Sequence, residues 1–543
     1  MWRLVSTLAL ILIAQSSIAQ TIDEGRKLIY YERWQAAQNH FEEIIKKDPS
    51  NEDAYYWLTR VLLEKDKLAD AKNLLQQRQS YLAGHPRDKK GNLEVVTEAA
   101  VLYKDKDSIA ARKLIAEVID KTKSKDAAIL TQIVSVLLSS RSTDYAFMLD
   151  LLEKAEKREK KDPEISLLKG DIYRWLTNGG KAVQAYEEAI AKEPNNAKAS
   201  YNIGKIYLTQ NNTELYLRYF NKAISMDPHF APPYYELYYH YYYKDVNKAG
   251  EYLNTYIANV DPSIENEYYL TDLYYASSKS KEAIDKGLEL LKQEGEKAKP
   301  RLYKLIAYSY EALGDSAKAL EYIEDYFKKE IDSNYVAKDF ELRARLLARV
   351  DGNTPKVIAD LEKAFAMDTL VKNKIDYGSA IINIYKKEND KHNQALWQGN
   401  IYRLKENPSN IDLYNWGLAH YLAGEFREAD SVFAAYSIKY PEHIHGYYWR
   451  AKSNAIIDST METGSAVPLY EKVIELAQTD SIKNKSFLIQ AYGYLGAYAA
   501  NVKKDYDLAL HNFERILSLD PQNSDALRYS EILEKRVATE PEK

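Results

Sequence analysis

Residues 163–192 read PEISLLKGDIYRWLTNGGKAVQAYEEAIAK, and residues 197–226 read AKASYNIGKIYLTQNNTELYLRYFNKAISM. Gly170, Tyr173, Ala182, Tyr186, Ala189 and Pro194 are each followed, 34 residues on, by Gly204, Tyr207, Tyr216, Phe220, Ala223 and Pro228. A fixed period of this size marks a repeat array in which one unit cannot bury its apolar face alone. Within each unit the apolar positions recur at three and four, so the unit is helical. Proline cannot continue a helix interior and pushes the residue before it out of the helical region. Asp48-Pro49, Asp162-Pro163, Asp227-Pro228, Asp261-Pro262 and Asp520-Pro521 therefore read as a recurring helix stop.

The spacing resembles that of the tetratricopeptide repeat (TPR), a two-helix unit with small residues where its helices cross, aromatics between them and a proline at the closing turn. Tyr216 departs from the pattern, standing where Ala182 stands one unit earlier. The resemblance implies an all-α chain, a right-handed TPR-type α-α superhelical solenoid of about fourteen helix pairs and a final capping helix. No strand pattern competes with this reading.

The totals agree with an array. The chain has 543 residues, is 45% hydrophobic and 29% charged, and holds 20 Gly and 15 Pro, so disorder is not its general state. Its 47 Tyr against 11 Phe and 7 Trp suit half-exposed helices, since a tyrosine buries its ring while the hydroxyl reaches water. A net charge of -5 with interleaved signs gives no basic stripe for nucleic acid. Cysteine is absent, which fits export and excludes a cysteine nucleophile or a lipidated cysteine.

Residues 1–19 read as a signal peptide, with Arg3, the apolar run Leu8 to Ala14 and Ser17-Ile18-Ala19 before a cleavage at Ala19-Gln20. The run is short of the roughly 20 apolar residues that span a bilayer, and no later stretch spans one. The expected location is periplasmic or secreted. Residues 20–85 hold the first two pairs, with Ala37, Phe41, Ile44 and Pro49 in register, then Tyr55, Leu58, Leu62, Ala71 and Leu75. Residues 86–162 keep helices, as Leu93 to Tyr103, Ile109 to Ile119, Ala127 to Leu138 and Tyr145 to Lys157, but lose the small residues and prolines. Residues 163–333 are a regular array, 334–409 are degenerate, 410–523 regain the period, and 524–543 form a capping helix and tail with Ser524 as cap. Joints are expected near residue 90 and at 330 to 356.

Motifs for catalysis are lacking: there is no G-x-S-x-G, H-E-x-x-H, P-loop or dinucleotide glycine run, and no cofactor or metal site is expected. Glu442-His443-Ile444-His445 offers two imidazoles without a third ligand and reads as an inter-repeat loop. His420 falls at a packing position.

The resemblance also implies that the first helices line a concave groove through repeat positions 2, 5, 9, 12 and 13. With Gly170, Gly204 and Gly417 setting the register, position 5 falls on Leu167, Tyr201 and Tyr414, and continuing the period adds Tyr56, Tyr235, Tyr268 and Tyr448. Positions 9 or 12 add Tyr239, Tyr242, Tyr275, Tyr308 and Tyr421. In Pro233 to Tyr243, Tyr235, Tyr239 and Tyr242 share one helix face, while Tyr234, Tyr238 and Tyr241 meet the second helix. Some TPR cochaperones clamp a terminal carboxylate with Lys at position 5; Tyr201 and Tyr414 stand there, beside Asn202 and Asn415, so no such clamp is expected. Arg60, Arg174, Lys205 and Lys452 are the cations at groove positions. The expectation is an exported, non-catalytic scaffold of envelope assembly that binds a protein or extended peptide through these tyrosines. A carbohydrate-binding envelope protein is the alternative, with a saccharide on the same rings.

Overall fold

The computed structural model describes residues 21–538. The expected signal segment and its cleavage point lie outside these residues. Among the described residues there are 29 α-helices and no strand. Packing divides the chain between Glu296 and Lys297 into two compact units. The sequence places joints near 90 and at 330–356, but the division falls inside the stretch read as one regular array. At that point helix Ser280–Glu294 ends at Gly295, whose φ of 55° begins a 3-10 turn to Lys297.

The first unit holds eight helix pairs. These are Ile22–Tyr30 with Trp34–Lys47, Glu52–Glu64 with Leu68–Gly84, Asn92–Lys104 with Ser108–Thr122, and Ala127–Ser139 with Tyr145–Glu156. Pro163–Trp175 with Gly179–Lys192, Ala197–Thr209 with Thr213–Met226, Pro232–Tyr241 with Val246–Asn259, and Ile264–Ala276 with Ser280–Glu294 complete it. Loop asparagines start the regular helices. Asn178, Asn196 and Asn212 accept from the amides of Lys181, Ala199 and Leu215 at 3.2, 2.9 and 3.2 Å, satisfying N–H groups that a helix start leaves open. Asp162-Pro163 works in the opposite sense from the expected stop. Pro163 opens a helix, and Asp162 caps it through the Glu164 amide at 2.9 Å.

Residues 86–162 form helices close to the expected bounds, yet their packing differs from that of a regular array. Ala127–Ser139 is buried nearly all round, with nine of its residues in the core. It touches Glu52–Glu64, the first helix two pairs earlier. Where a groove is expected, these first helices meet each other, and their side chains join one cluster running from Ile29 to Ile172. A buried ion pair, Arg78 with Glu94, ties the second pair to the third, and Arg78 also donates to the Pro49 carbonyl at 2.7 Å.

The second unit holds six pairs and the last helix. Its pairs are Pro300–Ala312 with Ser316–Lys329, Ala337–Leu347 with Thr354–Met367, Val371–Lys387 with Lys391–Leu404, Asn410–Leu422 with Phe426–Lys439, Ile444–Ile457 with Val467–Ala477, and Lys485–Tyr498 with Tyr506–Leu519. The last helix, Ser524–Val537, is capped by Asn523 rather than by Ser524, which is already helical; Asn523 accepts from the Ala526 amide at 3.0 Å. In the degenerate stretch, Arg343 grips Asp360 with two hydrogen bonds of 2.8 and 2.6 Å and lies 3.7 Å over the Phe327 ring. Lys304 reaches the fully buried Asp339 at 2.6 Å.

His392 and His420 both bond to the Glu425 carboxylate, His420 at 2.6 Å, while the Trp416 indole donates to the other His420 nitrogen at 2.9 Å. The hydrogen bond to Glu425 raises the pKa of His392. Burial pushes Glu425 up, but its bonds to the two histidines outweigh this and hold it below the usual carboxylate range.

Two expectations follow. Arg78→Met leaves Glu94 buried without its counter-charge and should cost about 3–5 kcal/mol, read as a lower urea midpoint for the first unit. The His392 contribution, from a raised folded pKa, is complete below about pH 6.5 and is lost as pH rises through the raised value. Across about pH 6 to 8, the native second unit should therefore lose more stability than a His392→Gln variant, as measured by urea midpoints.

Candidate functional site

The tyrosine-rich helices lie in the second half of the first unit, where Pro232 and Pro233 open helix Pro232–Tyr241 and Ser263 caps helix Ile264–Ala276 through the Asn266 amide at 3.3 Å. Tyr235 is the hub of the ring packing. Its centroid lies 5.3 Å from Tyr256, 5.4 Å from Tyr269 and 6.1 Å from Tyr239, in tilted geometries that suit ring quadrupoles. As the helical period predicts, Tyr241 stacks on Tyr252 of the second helix at 5.7 Å, and Tyr238 is buried. Tyr201 donates to Glu236 at 3.2 Å, and Lys205 pairs with the same carboxylate at 2.5 Å.

The first hairpin of the unit also reaches this face. Between helices Ile22–Tyr30 and Trp34–Lys47, Glu32 adopts a left-handed φ of 57° that reverses the chain. The turn packs onto residues some 200 positions later: Tyr30 lies 5.3 Å from Phe230 and Arg33 pairs with Asp261 at 3.6 Å. Arg33 supplies no side-chain cap to helix Trp34–Lys47. Asp261 does so instead, accepting from the Gln35 and Ala36 amides at 2.6 and 3.4 Å. The carboxylate thus meets two open N–H groups and the positive end of the helix.

Between turn and wall lies a cavity of about 290 Å³ lined by Tyr31, Glu32, Trp34, Tyr201, Tyr235, Tyr256 and, at its edge, Asp261 and Asn266. Glu32 is exposed, and its side chain is open to the water of this hollow. Desolvation raises its pKa, against the pull of Lys198. Burial, followed by the Glu32 charge, pushes Tyr256 up to about 12, and burial followed by the Glu236 charge raises Tyr201 well above the phenol range. These hydroxyls stay protonated and act as hydrogen-bond donors.

The eleven tyrosines expected in the groove separate by burial, and Tyr421 is half-buried, edge-on to Trp449 at 4.8 Å. Tyr56, Tyr268 and Tyr448 are buried, and they offer no surface as they stand. Tyr56 donates to the Gln132 carbonyl at 3.1 Å, filling the place where the two first helices meet, and Tyr448 donates to Gln490 at 2.6 Å. Tyr201, Tyr235 and Tyr242 are half-buried on the face just described, and Tyr242 donates to the Asp272 carbonyl at 2.9 Å. Tyr239 and Tyr275 are exposed, at 66% and 38%. In the second unit, half-buried Tyr308 donates to the Lys338 carbonyl at 2.9 Å, and Tyr414 lies edge-on to Phe433 and His445.

Tyr243, which is 92% exposed, extends the aromatic surface and was outside the expected set. The two imidazoles of Glu442 to His445 serve separate contacts. His443 bonds to the Tyr436 hydroxyl at 2.9 Å, while His445 lies edge-on to Tyr414 and Phe487. The second unit also holds a cavity of about 570 Å³ in the degenerate stretch, floored by Ala344, Ala348, Val357, Leu361 and Ala380 and rimmed by Lys338, Glu341, Arg345, Asp376 and Lys387. The repeat markers lapse there, so the period does not point to this cavity; Ala344 and Ala348, one helical turn apart, are its visible sign.

Three segments match models of this repeat: residues 28–87 and 197–230 match a tetratricopeptide repeat and residues 170–211 a TPR repeat. In these segments the chain is similar to the tetratricopeptide repeat. It is similar to the C-terminal part of a TPR repeat-containing protein from Cytophaga hutchinsonii, with 27% identity over 48% of this chain and 98% of that one and a TM-score of 0.30. A tetratricopeptide repeat protein from Parabacteroides merdae matches at 16% identity over 52% of this chain and 96% of that one, with a TM-score of 0.23. A chain of the APC/C hetero-tetramer Cut9-Hcn1 matches at 12% identity over 86% and 95%, with a TM-score of 0.27. No curated protein matches by sequence. TPR proteins typically bind proteins or peptides and are generally non-enzymatic.

Asp261→Ala removes both the cap and the Arg33 pair. It should cost about 1–2 kcal/mol and speed amide exchange at Gln35 and Ala36, while exchange at Ala199, capped by its own Asn196, stays unchanged.

Proposed function

We propose that this chain is an exported, non-catalytic scaffold that binds a protein or extended peptide on the aromatic face of its first unit and serves in envelope assembly, in the periplasm or outside the cell. The observation that carries the reading is the set of rings on two consecutive first helices: Tyr235 packs on Tyr239 at 6.1 Å in one, exposed Tyr243 follows its end, and Tyr275 of the next is exposed as well. Tyrosines offer broad contact with only two rotors to freeze, and exposed aromatics beside a polar rim mark interaction surfaces. Export is supported by the leader-like residues 1–19 and by the absence of cysteine. Among the described residues no helix is long and apolar enough to cross a membrane.

The second reading, a saccharide on the same rings, draws on the exposure of Tyr239 and Tyr243, since ring faces stack on sugars as they do on peptide side chains. A double variant, Tyr239→Ala with Tyr275→Ala, changes exposed positions and should keep the helical signal and melting behaviour. Capture of protein from crosslinked native envelope should fall about tenfold or more, as for loss of an aromatic anchor. Undiminished capture by the folded variant would sink the proposal. Calorimetric binding of oligosaccharides, lost in the same variant and with no protein captured, would transfer the face to the saccharide reading.

A further inference from the structure

We infer that the hollow between the first hairpin and the aromatic wall is a receptor for one cationic side chain, a lysine or arginine of the protein partner, with Glu32 as its counter-charge. This rests on the reading that the first unit binds protein, and it specifies one chemical feature of that protein.

The lining has a marked chemical bias. Tyr31, Trp34, Tyr201, Tyr235 and Tyr256 contribute rings, Glu32 and Asp261 contribute carboxylates, and among the described residues no lysine or arginine lines the space. Asp261 is committed to Arg33 and to the start of helix Trp34–Lys47. Glu32 is in a different position. Its amide bonds to the Ile29 carbonyl at 3.0 Å, but its carboxylate has no hydrogen bond or ion pair among the described residues. Its place at the apex of a left-handed turn holds it in the hollow.

Three cations feel its charge from beyond ion-pair distance: Lys198, Arg174 and Lys205. Two of them have other partners. Lys205 is held by Glu236 at 2.5 Å, while Arg174 lies 3.8 Å from Asp171 and donates to Asn202 at 3.4 Å.

A carboxylate without a close partner, among ring faces, favours a cation over other visitors. The negative faces of tyrosine and tryptophan rings attract an ammonium or guanidinium, and the incoming charge relieves the desolvation that raises the Glu32 pKa. An anion would meet like charge. An apolar side chain would take water from Glu32 and return nothing. At about 290 Å³ the space admits one long side chain, whereas a helix is roughly 10 Å across and does not fit.

The test uses the chain without residues 1–19, and its probes are acetyl-Gly-Lys-Gly-amide and the neutral analogue with norleucine in place of lysine. Binding is followed by nuclear magnetic resonance at the Trp34 indole N–H, assigned with a Trp34→Phe variant. The lysine probe should bind about tenfold more tightly than the norleucine probe. Glu32→Gln should erase that difference, and Glu32→Lys should turn the preference toward a glutamate probe. Equal binding of lysine and norleucine probes, a lysine preference that survives Glu32→Gln, or no shift at Trp34 would each overturn the assignment. Failure here with partner capture still dependent on Tyr239 and Tyr275 removes only the cation receptor. Lysine binding alongside capture indifferent to those tyrosines removes the wider reading and leaves the receptor.

Discussion

The best-marked repeats, those of Gly170, Gly204, Gly417 and Gly496, depend on a helix crossing in which a glycine meets an aromatic ring. A Cβ on Gly204 would stand 2.6 Å from the Phe220 ring, and one on Gly417 would stand 2.8 Å from Phe433. The missing side chain lets the helices approach until the ring fills the space between them, at the density protein interiors require. The ring then projects past its own pair toward the next, so the following pair completes the burial of the last. An array built this way has no independent unit, which is why the last helix turns its apolar face, with Ala526 and Leu533, inward and its charges outward.

Because this contact is local, it is written in the sequence. Residues 163–228 show it as a 34-residue echo, and the helices predicted across 86–162 are found with bounds within three residues. Even the missed Gly25 stands 16 residues before Phe41, as Gly170 does before Tyr186. Where the markers lapse, charge enters the packing: Arg78 with Glu94, and Arg343 with Asp360 in contact with Phe327. A buried ion pair can hold two helices without leaving a periodic signature, since its members come from different elements at an irregular spacing. The degenerate stretches look loose in sequence for that reason, and the same reason concealed the cavity beside Ala344.

The placement of the candidate rings was legible one helix at a time. The face shared by Tyr235 and Tyr239, and the packing of Tyr241 on the second helix, follow from 3.6 residues per turn. What accumulates over several repeats did not follow. Tyr56 holds a groove position by period, yet the first helices on either side close together and bury it. Likewise, no periodicity links Asp261 to the helix start at Gln35, 226 residues earlier. The aspartate was readable as part of an Asp-Pro turn, and its second task exists only once curvature brings the first hairpin back to the seventh pair.

That return changes what the first unit can do. A groove open along its length accommodates any extended chain that follows it, and its selectivity is the sum of weak contacts. Closing one stretch with a turn fixed by a helix cap and an ion pair converts it into a bounded space with set chemistry. Rings held at fixed tilt lose little entropy when a visitor arrives. The raised phenol pKa values of Tyr201 and Tyr256 keep their hydroxyls as donors through the physiological range. On the proposed reading, a single unpaired carboxylate can outweigh many surface charges, because two of the three cations that act on it, Arg174 and Lys205, have other partners. On that reading, selectivity in this unit would reside where the first hairpin meets the seventh pair, while the exposed tyrosines beyond would supply area.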